Sequence, residues 1–168
     1  MPAKDTTLSQ HETKNAKIKQ TMQQTRARRK TQTAKVFQLK IDTSHLNKKQ
    51  HEALRMLFIE AKWLRNHIIS LENVDDYKES KKVDVKLPDN TFETREFKHI
   101  GSQMKQSVFS QVKSDIKSLA ASKSRGRKVG KLKFVSQVTS IDLKQYKNTY
   151  RFSNDGKRAR IQKIPGYV

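Results

Sequence analysis

The chain contains no cysteine. That excludes a disulfide framework, a thiolate zinc site and a cysteine nucleophile. No apolar run approaches the roughly 18 residues that a spanning helix needs. The first residues hold no apolar signal-like segment. Acids are scarce, with 16 Asp+Glu against 37 Lys+Arg and a formal net charge of +21 over 168 residues. Apolar residues make up 33% of the chain and charged residues 32%. That is a thin core for this length, so part of the chain is expected to stay unpacked or to pack on a partner. A chain this basic repels itself unless something anionic neutralises it. Nucleic acid is the leading candidate and an anionic membrane surface the lesser one. The expected setting is intracellular, in the cytoplasm with the nucleoid.

Signatures of catalysis are also missing. "GRKVGK" (126–131) is one residue short of the phosphate-loop pattern, and Leu132 stands where Ser or Thr would hold magnesium. "HE" at 51–52 is followed by Arg55 and not by the second histidine of a zinc-protease helix. Glu72, Asp75, Asp76 and Glu79 form an acidic cluster in a polar connector. Carboxylates can hold a hard cation, but a solvated loop that offsets nearby lysines is the favoured reading of the cluster. No metal or cofactor is expected in this chain.

What is present divides into segments. Residues 1–34 are rich in Gln, Thr and Lys and read as a flexible basic arm able to turn helical on a polyanion. "RARRK" (26–30) within it is a charge run that also resembles a nuclear-import patch. Residues 35–42 alternate as a strand, with Val36, Leu39 and Ile41 among lysines. Ser44 or Asn47 can cap a helix running to about Leu71, with Glu52 in its first turns. Leu54, Leu57, Phe58, Ala61, Leu64, Ile68 and Leu71 share one face of it. Glu52, Arg55, Glu60, Lys62 and Arg65 are assigned elsewhere on that helix. Val83, Val85 and Leu87, followed by Pro88-Asp89-Asn90, predict a hairpin over 83–97. Met104, Val108, Val112, Ile116 and Leu119 predict a second helix over 99–121, its stripe widened by Phe109 and Ala120. A glycine-broken basic loop follows, and "KLKFV", "SIDLK", "TYRFS" and "RARIQKI" read as strands. "SNDG" (153–156) suits a tight turn between the last two. The expected class is α+β, with the opening strand pairing to strands far along the chain.

The cations concentrate in patches. Candidate phosphate contacts are Lys35 and Lys40 on the opening strand, and Lys105, Lys113 and Lys117 on the second helix. Arg125, Arg127, Lys128, Lys131 and Lys133 add a cluster in the loop. Phe134, Tyr146 and Tyr150 interleave with these cations. They read either as strand core or as platforms for stacked bases. Trp63 reads as core.

The order of features has a family likeness. A short basic strand leads to a helix with "AKWLRN" (61–66). A Gln-rich basic helix, "SQMKQSVFSQVKSDIKSL", comes next. The loop then runs into "GKLKFVS" (130–136), and the chain closes on "RIQKIPGYV". Together they resemble the N-terminal half of TnpB (OrfB-type) transposon proteins, relatives of type V CRISPR effectors, over about Lys35 to Val168. Lys62, Arg65, Leu132 and Val135 depart from the family pattern. The resemblance implies a split, oligonucleotide-binding-like (wedge) barrel from 35–43 and 122–168. A recognition-lobe-like helical insertion, 44–121, would interrupt it. It implies guide RNA and target DNA as partners. It also implies that the catalytic carboxylates, magnesium and zinc belong to a nuclease part beyond "KIPGYV", so that this chain would be the non-cutting part of a truncated, split or longer protein. The alternative is a stand-alone basic protein, ribosome-associated or nucleoid-packing, that binds phosphates without a guide.

Overall fold

The computed structural model describes residues 5–33 and 40–168. The chain is α+β, with helices α1 (Asp5–Lys30), α2 (Lys48–Ser70) and α3 (Ser102–Ser124). Its strands are β1 (Lys82–Lys86), β2 (Phe92–Glu96), β3 (Tyr150–Phe152) and β4 (Ala159–Ile161). α1 belongs to one compact unit, and the residues from Ile41 to Val168 form a second.

α1 is helical without a polyanion, where the sequence predicts a flexible arm that turns helical on one. Its sequence has no apolar stripe, so periodicity gives no helix signal. Yet no Pro or Gly interrupts Asp5–Lys30, and Ala, Gln, Lys and Arg are good helix formers.

In the second unit α2 is the spine. A capping box starts it: Asn47 Oδ1 accepts from the Gln50 backbone N–H at 3.0 Å, and Gln50 Oε1 accepts from the Asn47 N–H at 3.0 Å. Gln50 Nε2 also donates to the carbonyls of Pro165 (3.0 Å) and Tyr167 (2.8 Å), tying the last residues to the helix start. Leu54, Leu57, Ala61, Leu64 and Ile68 are buried against Ile100, Met104, Val108 and Val112, with Ile161 and Ile164 closing the cluster. Burial of each large side chain of this kind contributes about 1.5–3 kcal/mol. The predicted α3 stripe fades beyond Val112, because Ile116 is 36% exposed.

Glu60 is the main correction on α2. Its side chain is almost fully buried, at 1% exposure. The carboxylate accepts hydrogen bonds from the backbone N–H groups of Lys98 (3.0 Å), His99 (2.8 Å) and Ile100 (2.8 Å), and meets His99 Nδ1 at 2.9 Å. These amides immediately precede α3, so one side chain fixes where that helix begins. Glu60 lies three residues after Leu57 and four before Leu64, which places it on the edge of the apolar stripe.

The β1–β2 hairpin forms as expected, with Val83 opposite Arg95 and Val85 opposite Glu93. Asn90 turns it at φ 67°, a left-handed conformation that Asn tolerates. Val83 is buried, and the Arg95 guanidinium lies 5.0 Å over the Trp63 ring, clasping β2 to α2.

The C-terminal third departs from expectation. β3 pairs antiparallel with β4 around the Ser153–Gly156 turn, where Gly156 has φ 69° and its N–H reaches the Ser153 carbonyl at 2.9 Å. "KLKFV" and "SIDLK", however, are irregular and not strands. Leu132, Val138, Ile141 and Leu143 pack against the helical core instead of joining a ladder. Among the described residues the two sheets are separate and two-stranded, and no closed barrel forms. Val36 and Leu39 of the predicted opening strand lie outside the described residues. Ile41 packs half-buried against the core.

Candidate nucleic-acid interface

The basic loop begins where α3 ends. Arg125 is the C-cap and Gly126 follows at φ 76°. The Gly126 N–H donates to the Lys123 carbonyl at 3.0 Å and the Arg127 N–H to the Ser122 carbonyl at 3.1 Å. This is the Schellman arrangement, which needs a residue free to adopt positive φ after the cap. It stops the helix sharply and turns the chain so that Lys123, Arg125, Arg127 and Lys128 all remain exposed. From Val129 burial recurs at every third residue. Val129, Leu132 and Val135 are half-buried, while Lys131, Lys133 and Phe134 face solvent.

Asn66 holds this segment in place. Its Nδ2 donates to the Val135 carbonyl at 3.0 Å and its Oδ1 accepts from the Val135 N–H at 2.9 Å. Asn66→Ala removes both bonds, an expected cost of about 1–3 kcal/mol for two part-buried backbone groups. Hydrogen exchange at the Val135 amide should accelerate; unchanged protection would mean that Asn66 is not the anchor.

Among the described residues no carboxylate lies within ion-pair distance of Lys123, Arg125, Arg127, Lys128, Lys131 or Lys133. The shortage runs through residues 122–168, which hold thirteen Lys/Arg against Asp142 and Asp155. Among the described residues no carboxylate offsets these cations by an ion pair.

An aromatic cluster sits further along. Tyr146 lies 5.6 Å from Tyr150 and 6.2 Å from Phe152, and Tyr150 lies 5.8 Å from Phe152. Tyr146 sits in a tight loop flanked by Gln145 (φ 65°) and Lys147 (φ 73°), left-handed conformations unusual for such residues. Buried Thr149 holds the loop closed, its hydroxyl donating to the Lys144 carbonyl. Tyr146 is thus presented outward, 53% exposed, between exposed Lys144 and Lys147. Arg151 stands opposite Arg160 in the register, and the guanidiniums of Arg151 and Arg158 lie 5.9 Å and 6.0 Å from the Tyr167 ring.

The predicted site residues thus fall into groups. Arg125, Arg127, Lys128, Lys131 and Lys133 form one exposed run, and Lys40 and Lys117 are also exposed. Tyr146 and Tyr150 come together with Phe152. Phe134 is 58% exposed and has no ring partner among the described residues. Lys35 lies outside the described residues. Lys113 is engaged by Asp75 of the acidic connector and lies 5.9 Å from the Phe109 ring.

Lys105 is a correction. It is buried, its Nζ donates to the Ser80 carbonyl at 2.7 Å, and it lies 4.5 Å over the Phe97 ring. Burial pushes its ammonium below the usual lysine range, against the opposing pull of Glu79 and Glu60. It is a structural cation and unavailable to phosphate. Half-buried Tyr77, stacked on Phe109 at 5.2 Å between ring centres, has its phenol pushed up to about 12 by burial and by the charge on Glu79.

Sequence reasoning missed Tyr167 and the Arg151 guanidinium beside it, although the alternation in "YRF" and "ARI" could have placed Arg151 and Arg160 on one face. A cleft of about 330 Å³ beside residues 135–142 is lined by Arg65, Gln111 and Asp115. Arg65 and Asp115 pair at 2.7 Å, and Gln111 donates to Asp115 at 3.0 Å; Asp142, exposed, also lines the cleft. Among the described residues no three His, Asp or Glu side chains gather as a metal site, and no helix is long and apolar enough to cross a membrane.

No family model, curated protein or solved structure matches this chain.

Proposed function

We propose that the Ile41–Val168 unit binds single-stranded nucleic acid, with the 123–133 run tracking phosphates and the Tyr146–Tyr150–Phe152 cluster offering ring faces to bases. The observation that carries this reading is the run of exposed cations with no acidic partner, held in place by the α3 cap and by Asn66. Fixed charges bind a backbone without first losing conformational freedom. Exposed rings next to lysines supply stacking that tolerates any base. The likeness to TnpB-type proteins makes guide RNA and target DNA the specific occupants, with β3 and β4 as part of the wedge-like element. In this reading the chain supplies binding and not cutting.

The test is to purify the chain at low salt and sequence the nucleic acid that comes with it. One structured RNA species, encoded beside the gene, is the expected result. A broad mixture of RNA and DNA would favour a guide-independent phosphate binder. Absence of any nucleic acid, together with no single-strand binding at about 0.05 M salt, the regime where phosphate binding is strong, would sink the proposal.

A further inference from the structure

α1 is a helix without an apolar face, in a unit of its own. Ile18 and Met22 are 48% and 56% exposed. A helix that is polar all round has little tertiary packing to keep it folded. Its cations, Arg29 on the far face apart, are ordered around the axis. With 3.6 residues per turn, Lys14, Lys17 and Arg28 fall within about 60° of one another, and Lys19, Arg26 and Lys30 within about 40° on the opposite side. Between these two rails runs a stripe of Ala16, Gln20, Gln23, Gln24 and Ala27, holding three amides and two small residues. All of these residues are exposed.

From this arrangement we infer that α1 is a groove-binding helix for duplex DNA, lying in the major groove with the Gln stripe toward the base edges. A helix about 10–12 Å across matches a major groove about 12 Å wide. Phosphates rise on both sides of that groove, which calls for cations on opposite flanks and not on one face. Glutamine amides at the floor can pair with adenine N6 and N7. Duplex RNA is excluded as the occupant, because its major groove is too deep and narrow for side chains to read. A membrane surface is excluded by the lack of an apolar face. The inference is independent of the single-strand surface on the other unit.

The experiment uses the full chain, with fluorescence anisotropy on a DNA duplex, an RNA duplex and a single strand across a salt series. Replacing Lys14, Lys17, Lys19, Arg26, Arg28 and Lys30 by Gln should flatten the duplex-DNA salt slope by roughly 0.9 for each phosphate that is no longer neutralised. The weakening on duplex DNA should exceed that on the single strand. Guanine N7 in the bound duplex should be shielded from dimethyl sulfate. Gln20→Ala with Gln24→Ala should lower the preference for A·T-rich over G·C-rich duplex by roughly fivefold or more and leave the salt slope alone. Equal weakening on duplex and single strand, unshielded N7, or equal binding to duplex RNA or phosphatidylserine vesicles would overturn the inference.

Discussion

Glu60→Ala is expected to destabilise the Ile41–Val168 unit by about 3–5 kcal/mol, because it leaves three backbone N–H groups at 98–100 without their acceptor. Domains of this size are stable by about 5–15 kcal/mol, so the change removes about a fifth of the total at the least. Helix propensity alone argues the other way, since Ala is the better helix former. The sign of the effect therefore separates burial from propensity. Glu52→Ala is the matched control: its carboxylate is exposed and bonds Arg55 at 3.0 Å, so an unfolding midpoint close to the parent's is expected. Urea unfolding should show a lower midpoint for Glu60→Ala at unchanged slope. Hydrogen exchange should quicken at Lys98, His99 and Ile100 and in the first turn of α3. A midpoint equal to that of Glu52→Ala would mean that water replaces the carboxylate at no cost.

Periodicity made α2, the β1–β2 hairpin and the first half of α3 legible, because each buries one face on a common core. It misled at 131–144. There Ile141 and Leu143 alternate with exposed residues as a strand would, but Phe134, the strand partner expected for Leu132, is 58% exposed, and Leu132, Ile141 and Leu143 dock singly on the core. Alternation records which side chains are buried, and an irregular segment pinned at Asn66–Val135 yields the same record. α1 failed in the opposite sense, a helix with no stripe to announce it. The exposed run at 123–133 was legible from its lack of apolar neighbours. Lys105 was not, because a lysine stem can be buried beside Phe97 while its ammonium finds a carbonyl across the fold at Ser80.

That contrast between Lys105 and the loop gives the largest expected effect on binding. Replacing Lys123, Arg125, Arg127, Lys128, Lys131 and Lys133 together by Gln keeps most of each stem and removes only charge. For single strands the salt slope falls by roughly 0.7 for each phosphate left without its cation. If all six touch phosphate, affinity at about 0.1 M salt drops on the order of 10⁴-fold; if half do, on the order of 10²-fold. The fold should not suffer, because these side chains are exposed and without carboxylate partners, so removing them relieves repulsion. Lys105→Met should behave in reverse. It should lower stability through the missing bond to Ser80 and leave the salt slope at the parental value, since a buried ammonium releases no counterion from a strand. Anisotropy across roughly 0.05–0.5 M salt, with a melting curve for each variant, checks both. A parental slope in the six-fold variant would move the interface away from the loop, and a flattened slope in Lys105→Met would mean that its ammonium reaches solvent after all.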